Sequence, residues 1–314
     1  MVESPYIWHQ GELVDFKDAQ VHFLNSSLHY GTAVFEGIRA YGTENGTAVF
    51  RLKDHIKRLR DSAKIIGFDQ LPYTEEEMID SCLEVVRANE LTDCYIRPLI
   101  YVVDGGWNLL TTNIRLEYST AAWKWDKYMG EEALNNGIRA KIASYSRHYI
   151  NSAMTKAKVA GNYVNSVMAR SEVIRQGYEE GILLDSNGFV SECTGQNLFV
   201  VRNGKLLTPP SYSVLEGITR DSIICLAEDL GYKVSESLMT RDQLYLADEI
   251  FMVGTANEVI AVREVDDRTI GNGGMGHITA HLQQAYADVV RGKRPEYSDW
   301  LDLVPQDKEA PVFF

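Results

Sequence analysis

Two lysines stand two positions apart within residues 155–163, where most of the neighbouring residues are small or apolar. In an extended chain, Lys156 and Lys158 point to the same side. Most lysines are solvated, but one set among small residues beside an aromatic ring, here Tyr163, can be partly buried. Burial disfavours the ammonium form and leaves a neutral amine that attacks carbonyl groups. The stretch therefore predicts Schiff-base chemistry on a carbonyl compound.

Two further segments predict an anion site. Residues 215–221 place Gly217 just before a predicted helix, so the N–H groups of Ile218 and Thr219 and the Thr219 hydroxyl are available to a phosphate. Residues 254–257 follow a predicted strand and offer another turn of backbone N–H groups. An ordinary helix start or turn explains each segment alone. Together with a reactive lysine, they indicate a phosphorylated carbonyl cofactor.

Other catalytic patterns are weaker. Residues 271–276 match GxGxxG, but no buried strand precedes them and no acidic residue follows at the required spacing, so a surface turn is expected. Neither GxSxG nor HExxH occurs in the sequence. The seven histidines are scattered, and so are the four cysteines Cys82, Cys94, Cys193 and Cys225. We therefore expect no metal site and no disulfide framework.

The charge balance limits the choice of partners. The chain has 314 residues, with 31 basic and 44 acidic side chains and a net charge of −13. A field of that sign repels phosphate backbones and anionic membranes, so neither nucleic acid nor a membrane is an expected partner. No run of 18 apolar residues and no apolar N-terminal signal occurs. A cytoplasmic, reducing location is the expectation.

The elements that must position these residues fall into two groups. In the first group we expect strands at 6–8, 12–14, 34–41, 48–52 and 95–103, a helix capped by Asp54 and a second helix with a Thr74 capping box. Pro98 cannot donate a hydrogen bond, which predicts a sheet edge or a bulge there.

The second group lies beyond residues 124–134, where the periodic pattern breaks. We expect strands at 138–145, 181–185, 189–193, 197–201, 205–208, 249–253 and 259–262, and helices at 162–177, 218–230 and 278–290. Strands joined in hairpins, with helices between groups of strands, predict an α+β fold. The predicted organisation is a small N-terminal domain (1–123), a linker (124–134) and a larger C-terminal domain (135–314).

At these residues the chain resembles the class IV, or fold-type IV, pyridoxal-phosphate aminotransferases, most closely the branched-chain amino acid aminotransferases. The resemblance covers nearly the whole chain. Its markers are His29-Tyr30-Gly31, Phe35-Glu36-Gly37-Ile38-Arg39, Tyr95-Ile96-Arg97-Pro98, Lys158 with Gly161-Asn162-Tyr163, Ser191-Glu192, Asn197-Leu198-Phe199, Gly217-Ile218-Thr219-Arg220 and Gly254-Thr255-Ala256. It implies the two-domain fold of D-amino acid aminotransferase, with a small α/β domain and a larger domain built on a mixed sheet or barrel.

The resemblance also implies roles toward the cofactor, pyridoxal 5'-phosphate. Lys158 is expected to hold it as a Schiff base and to act as the catalytic acid and base. Glu192 is expected at the pyridine nitrogen and Tyr163 at the phenolic oxygen. The remaining cofactor-binding residues, mostly around the phosphate, are Arg58, Leu215, Gly217, Ile218, Thr219 and Thr255.

For the substrate, the resemblance implies an α-carboxylate site and a side-chain pocket. Tyr95, with the N–H groups of Thr255 and Ala256, is expected to bind the α-carboxylate, and Arg97 the distal carboxylate of glutamate. The other expected substrate-binding residues are Tyr30, Phe35, Gly37, Trp107, Leu109 and Tyr128. Because Tyr30 and Leu109 are expected from a neighbouring subunit, the resemblance implies a homodimer or a larger homo-oligomer with active sites at the interface.

The implied activity is transfer of the amino group between leucine, isoleucine or valine and 2-oxoglutarate by a ping-pong mechanism, in branched-chain amino acid biosynthesis. The alternatives are a transaminase that also takes R-amines, a D-amino acid aminotransferase, an aminodeoxychorismate lyase and a non-catalytic cofactor-binding protein. The sequence departs from the family's pattern at two positions that bear on the choice between these activities. Gln196 replaces a glutamate that is common in the family, and Trp107 is unusual in its loop.

Overall fold

A computed structural model describes residues 4–125 and 129–306. The strands are β1 (Tyr6–His9), β2 (Glu12–Asp15), β3 (Val34–Phe35), β4 (Ile38–Thr43), β5 (Gly46–Phe50), β6 (Cys94–Asp104), β7 (Arg115–Lys124), β8 (Ile138–Ile142), β9 (Glu180–Leu184), β10 (Val190–Cys193), β11 (Asn197–Arg202), β12 (Lys205–Thr208), β13 (Val234–Glu236), β14 (Glu249–Gly254), β15 (Glu258–Val265), β16 (Arg268–Thr269) and β17 (Leu301–Leu303). The helices are α1 (Ser26–Tyr30), α2 (Leu52–Ile65), α3 (Glu75–Ala88), α4 (Gly130–Asn136), α5 (Tyr163–Arg175), α6 (Ile218–Asp229), α7 (Arg241–Tyr245) and α8 (His277–Val290).

The first sheet has the strand order β17-β5-β4-β6-β7-β1-β2, with β3 paired to β6. Helices α2 and α3 pack on one face through buried Ile56, Leu59 and Met78, which meet Ile96 and Ile100 of β6. Residues 95, 97, 99 and 101 alternate with these and lie on the opposite face of β6. That face is free to line a site.

Local signals set the ends of these elements. Thr74 makes the predicted capping box with Glu77 at the start of α3. The predicted Asp54 cap of α2 is wrong: the helix begins at Leu52, after Arg51 in a left-handed conformation. Asp54 lies in the first turn instead and accepts a hydrogen bond from Arg51 Nε at 2.6 Å.

Pro98 corrects another expectation, because it lies in the interior of the sheet. Strand β6 pairs with β7 on one side and with β3 and β4 on the other. Pro98 stands at the break between β3 and β4, where the Glu36 N–H donates to the Pro98 carbonyl at 3.0 Å. The absent proline N–H therefore falls where the ladder is already interrupted.

The second sheet has the order β10-β9-β8-β15-β14-β11-β12-β13, with β16 paired to β15. Most pairs are antiparallel, but β8–β9, β8–β15 and β12–β13 are parallel, which makes the sheet mixed. Helices α6 and α8 cover one face and share a buried cluster with Tyr41 and Phe50 of the first sheet. The predicted two-domain α+β fold is confirmed.

A connection between the two sheets lies between β7 and β8. Strand β7 ends at Lys124 in the first sheet and β8 begins at Ile138 in the second, with α4 between them. Strand β17, late in the sequence, pairs with β5 and so belongs to the first sheet. Among the described residues, no helix is long and apolar enough to cross a membrane.

Candidate active site

Lys158 lies on a short connection that the first domain holds in place. Its backbone N–H donates to Ser62 Oγ at 3.0 Å, and its carbonyl accepts from the Phe35 N–H at 3.1 Å. The amine Nζ donates to the Tyr163 hydroxyl at 2.5 Å, at the start of α5. The amine is thus set against a hydroxyl on a fixed helix, which suits a nucleophile that must also exchange protons.

Lys156 has different surroundings. Its Nζ contacts the Ser211 carbonyl, and it lies 3.2 Å from both the Val214 carbonyl and Glu216 Oε1. This amine ties the lysine segment to residues 211–216. The two lysines of the motif therefore have separate surroundings, and only Lys158 is among the residues that line the cavity described below.

Glu192, on β10, is paired with a guanidinium group. Its Oε1 lies 2.6 Å from Arg147 Nε, and its Oε2 accepts from the Leu215 N–H at 3.2 Å and from Asn197 Nδ2 at 3.3 Å. Burial raises the pKa of Glu192 above its usual value, while the positive charge of Arg147 and the Leu215 N–H oppose that rise. A cationic ligand group beside the carboxylate would favour its ionised form.

The N-terminus of α6 forms the opposite part of the site. Gly217 is the N-cap of this 12-residue helix and no side chain caps it, so the first-turn N–H groups suit an anion. A Cβ at position 217 would overlap Asn197 Oδ1, which explains the glycine. Asn197 also donates to the Leu215 carbonyl at 3.1 Å and so connects Glu192 to this loop.

Arg58 reaches the same place from α2 of the other domain, where its Nη1 donates to the Glu216 carbonyl at 2.7 Å. One cavity brings the groups together. Its lining includes all nine residues predicted to bind the cofactor: Arg58, Lys158, Tyr163, Glu192, Leu215, Gly217, Ile218, Thr219 and Thr255. An amine, a carboxylate and a helix start without a side-chain cap therefore share one cleft between the two sheets.

Beside this cavity lies a cluster around Arg97. Its guanidinium stacks on the Phe35 ring at 4.7 Å and donates from Nη2 to the Tyr95 hydroxyl at 3.2 Å. The Phe35 ring in turn meets the Tyr163 ring, with centroids 4.9 Å apart. A Cβ at Gly37 would overlap the Tyr95 hydroxyl, so only glycine fits there. These residues form an aromatic wall with one cation next to the Lys158 amine.

Comparison with known proteins decides the family. The sequence model of the family described as Amino-transferase class IV matches residues 33–265. The chain belongs to this family. It is 47% identical over 309 residues to the branched-chain-amino-acid aminotransferase of Escherichia coli (strain K12), covering 97% of this chain and 99% of the other. It is 45% identical over 298 residues to the enzyme of the same name from Pseudomonas aeruginosa, covering 95% and 97%.

Solved structures agree with the fold of this class IV chain. A crystal structure of the branched-chain amino acid aminotransferase of E. coli superposes with a TM-score of 0.94 at 46% identity and covers 96% of this chain and 100% of the other. The enzyme of the same name from Thermobaculum terrenum, solved in its PLP-form (holo-form), gives 0.90 at 34% identity and covers 97% and 100%. The fold is therefore that of the fold-type IV aminotransferases.

The predicted substrate residues of this class IV chain fall into separate places. Phe35, Gly37, Tyr95 and Arg97 form the cluster described above, and Ala256 follows Thr255 in the turn after β14. Tyr30 and Leu109 line a different hollow, and Trp107 lies next to it, with its ring centroid 5.9 Å from that of Tyr30. Tyr128 lies outside the described residues.

Sequence reasoning missed two residues of the site. Arg147 pairs with Glu192 but belongs to a segment with no recognisable motif. Glu36 was noted within a motif but given no role, although it is fully buried and bonds Arg58. Both act through long-range ion pairs, for which a single sequence offers no signal. Asn197, also noted in a motif, now has a structural reason, since it joins Glu192 to the loop before α6.

Proposed function

We propose that this chain is a pyridoxal-phosphate-dependent transaminase that moves the amino group between branched-chain L-amino acids and 2-oxoglutarate. The observation that carries the proposal is the Lys158 amine, 2.5 Å from the Tyr163 hydroxyl, in a cavity that also exposes Glu192 and the start of α6. Relatives at 45% and 47% identity that are named branched-chain-amino-acid aminotransferases support it.

The residues of the cavity fit this cofactor by their chemistry. An aldehyde needs an amine, and Lys158 supplies it. A phosphate needs N–H groups and a guanidinium, which Ile218, Thr219 and Arg58 supply. A basic ring nitrogen needs a buried carboxylate, and Glu192 supplies it. When bound, pyridoxal phosphate supplies a carbonyl that condenses with amines and a protonated ring that accepts electrons from the substrate Cα.

The residues of the protein bind and orient the cofactor and the substrate, and they move protons between groups. Lys158 would hold the cofactor covalently, and its amine, once freed by the substrate amine, would remove the Cα proton as a general base and deliver it away from Cα as a general acid. Tyr163 donates to or accepts from this amine and so keeps it close. Glu192, held by Arg147 and the Leu215 N–H, keeps a proton on the ring nitrogen. The uncapped turn of α6, with Arg58 and Thr255, anchors the phosphate.

The substrate site lies on the other side of Lys158. Phe35 and Tyr163 provide apolar ring surface for a branched side chain, and Gly37 leaves the space that the Tyr95 hydroxyl occupies. Tyr95 and the N–H groups of Thr255 and Ala256 bind the α-carboxylate. Arg97, stacked on Phe35, receives the distal carboxylate of glutamate or 2-oxoglutarate.

Arg97→Ala is expected to reduce kcat/KM for L-glutamate by about 100-fold and for L-leucine by less than about fivefold, because a charge-assisted bidentate contact is lost only with glutamate. The measurement is the rate of each half-reaction with the purified holoenzyme. Phe35→Leu serves as the comparison, since it removes the stacking partner and leaves the charge. Equal losses for the two donors would assign Arg97 to structure or to the α-carboxylate.

The oligomer proposed is a homodimer in the cytoplasm, in which Tyr30, Trp107 and Leu109 of one subunit approach the site of the other. Large apolar side chains of these segments are exposed: Leu109 is 75% exposed, Leu28 64% and Phe23 71%. Monomeric proteins seldom expose such an apolar patch. We therefore expect a second copy of this chain to cover it. Sedimentation at micromolar concentration is expected to give a dimer or a multiple of it.

The test of the proposed function is a half-reaction spectrum. L-leucine, D-leucine and (R)-1-phenylethylamine are added separately to protein loaded with pyridoxal phosphate, and the visible absorption band is followed. Bleaching by L-leucine alone is the expected result. Bleaching by the R-amine as well would show that the loop around Trp107 admits amines without a carboxylate. No response to L-leucine would overturn the branched-chain assignment, and pyruvate release from added aminodeoxychorismate without an acceptor would indicate a lyase.

A further inference from the structure

Glu36 is a fully buried carboxylate that lies between β3 and β4 and faces α2. Its Oε1 accepts from Arg58 Nε at 2.6 Å, and its Oε2 accepts from Arg58 Nη2 at 2.9 Å. This is a two-point contact between a planar carboxylate and a planar guanidinium, which fixes the orientation of the guanidinium as well as its position. The proposed function gives Glu36 no part.

His55 completes the group, one helical turn before Arg58 on α2. Its Nδ1 lies 2.7 Å from Glu36 Oε2, and the imidazole is buried. Burial lowers the pKa of His55, and a carboxylate can only accept, so the neutral ring donates through Nδ1. Against the opposing effect of burial, the positive charge of Arg58 and the hydrogen bonds from Arg58 and His55 hold the pKa of Glu36 well below its usual range. His55 therefore orients the Glu36 carboxylate, and the negative charge of that carboxylate pairs with Arg58.

The remaining donors of Arg58 define what it can bind. A guanidinium has five N–H groups. Glu36 takes one on Nε and one on Nη2, and the Glu216 carbonyl takes one on Nη1. In the described part of the chain no hydrogen bond takes the other two, which lie one on each terminal nitrogen. Arg58 lines the cavity with Ile218 and Thr219, so this pair of donors is available to an anion there.

We propose that Glu36 is a positioning residue that fixes Arg58 so that its two terminal N–H groups bind two oxygens of the cofactor phosphate, with His55 orienting the carboxylate. This inference rests on the proposed function, because it takes pyridoxal phosphate as the ligand. A bare ion pair would stabilise the fold without regard to the ligand. A positioning role makes Glu36 matter for the phosphate and not for the aldehyde or the ring.

The experiment compares two ligands that differ only in the phosphate. Dissociation constants of pyridoxal phosphate and of pyridoxal are measured by absorbance on the wild-type protein and on Glu36→Gln. The variant is expected to bind pyridoxal phosphate about tenfold or more weakly, the usual loss when the partner of a binding group is removed, and pyridoxal about as tightly as the wild type. Asp266→Asn is the matched control, since Asp266 is also buried and pairs with an arginine, Arg241, at 2.6 Å. It is expected to leave both constants unchanged.

A second comparison tests the route through Arg58. In the Arg58→Ala background, Glu36→Gln is expected to cause no further loss of phosphate-dependent affinity, because coupled residues are not additive. If Glu36→Gln does not fold, as judged by circular dichroism, His55→Gln tests the same carboxylate with the same two ligands. Equal weakening of both ligands, or an unchanged ratio of their constants, would overturn the proposal. Failure of the wild-type protein to bind pyridoxal phosphate would instead overturn the proposed function.

Discussion

Lys158→Ala is expected to abolish transamination, lowering kcat by about 10⁴-fold or more, since in the proposed mechanism one amine serves as both covalent anchor and proton carrier. The variant should also lose the visible absorption that the lysine-bound cofactor gives. The reason is geometric: the Lys158 Nζ lies 2.5 Å from the Tyr163 hydroxyl, while its backbone is fixed by Ser62 and Phe35. Among the described residues, no other lysine lines the cavity that contains Lys158.

Lys156→Ala is the matched control. This residue has the same type, lies two positions away and contacts the carbonyls of Ser211 and Val214. Its truncation should loosen residues 211–216 and reduce kcat by less than about tenfold, with the absorption band retained. Turnover by Lys158→Ala would contradict the assignment of the amine and would make Lys156 the first residue to test.

The sequence predicted which residue types the site contains better than it predicted how those residues are arranged in space. The small residues around Lys158, the glycine before Ile218 and the turn at residues 254–257 are local signals, because a helix start or a turn is encoded by a few adjacent residues. All three were predicted, and the structure brings Lys158, Ile218 and Thr255 to one cavity. That these three segments lie close together could be learned only from the folded structure.

Contacts between distant segments had no local signal. Arg147 meets Glu192 across 45 positions of sequence, and Arg58 meets Glu36 across 22. An arginine or a glutamate taken alone is more often solvated than paired, so neither pair could be inferred from residue type. The same limit explains β17, whose three residues pair with β5 about 250 positions earlier.

Competing local signals produced the errors at element ends. Asp54 fits a helix cap by type, but Arg51 adopts a left-handed conformation and places the helix start two residues before Asp54. The aspartate is then used to bind Arg51. Pro98 was expected at an edge or a bulge because it lacks an N–H, and the structure satisfies that requirement by interrupting β3 and β4 beside it. The missing N–H of Pro98 was correctly expected to need an interruption in the hydrogen bonding of the sheet. The residues next to Pro98 do not determine whether its strand lies at the edge or in the interior of the sheet.

Glu192→Gln is the second substitution for which we expect a large effect, a loss in kcat of about 100-fold or more. The amide has nearly the shape of the carboxylate and can still accept a hydrogen bond from the Leu215 N–H. It carries no charge, so it cannot do what the proposed mechanism asks of Glu192, which is to keep a proton on the ring nitrogen while the ring accepts electrons from the substrate Cα. Because that demand arises in the transition state, kcat should fall with little change in KM.

Arg147 makes this variant informative. In the native protein its guanidinium lies 2.6 Å from Glu192 Oε1 and opposes the burial that raises the pKa of that carboxyl. With glutamine at 192 the arginine keeps its charge without its partner, and stability should fall as well. Glu192→Asp, which restores the charge on a shorter side chain, separates the two effects. It should recover part of kcat, as followed by single-turnover kinetics with L-leucine. If aspartate and glutamine reduce kcat equally, the carboxylate holds Arg147 in place and has no role in protonating the ring.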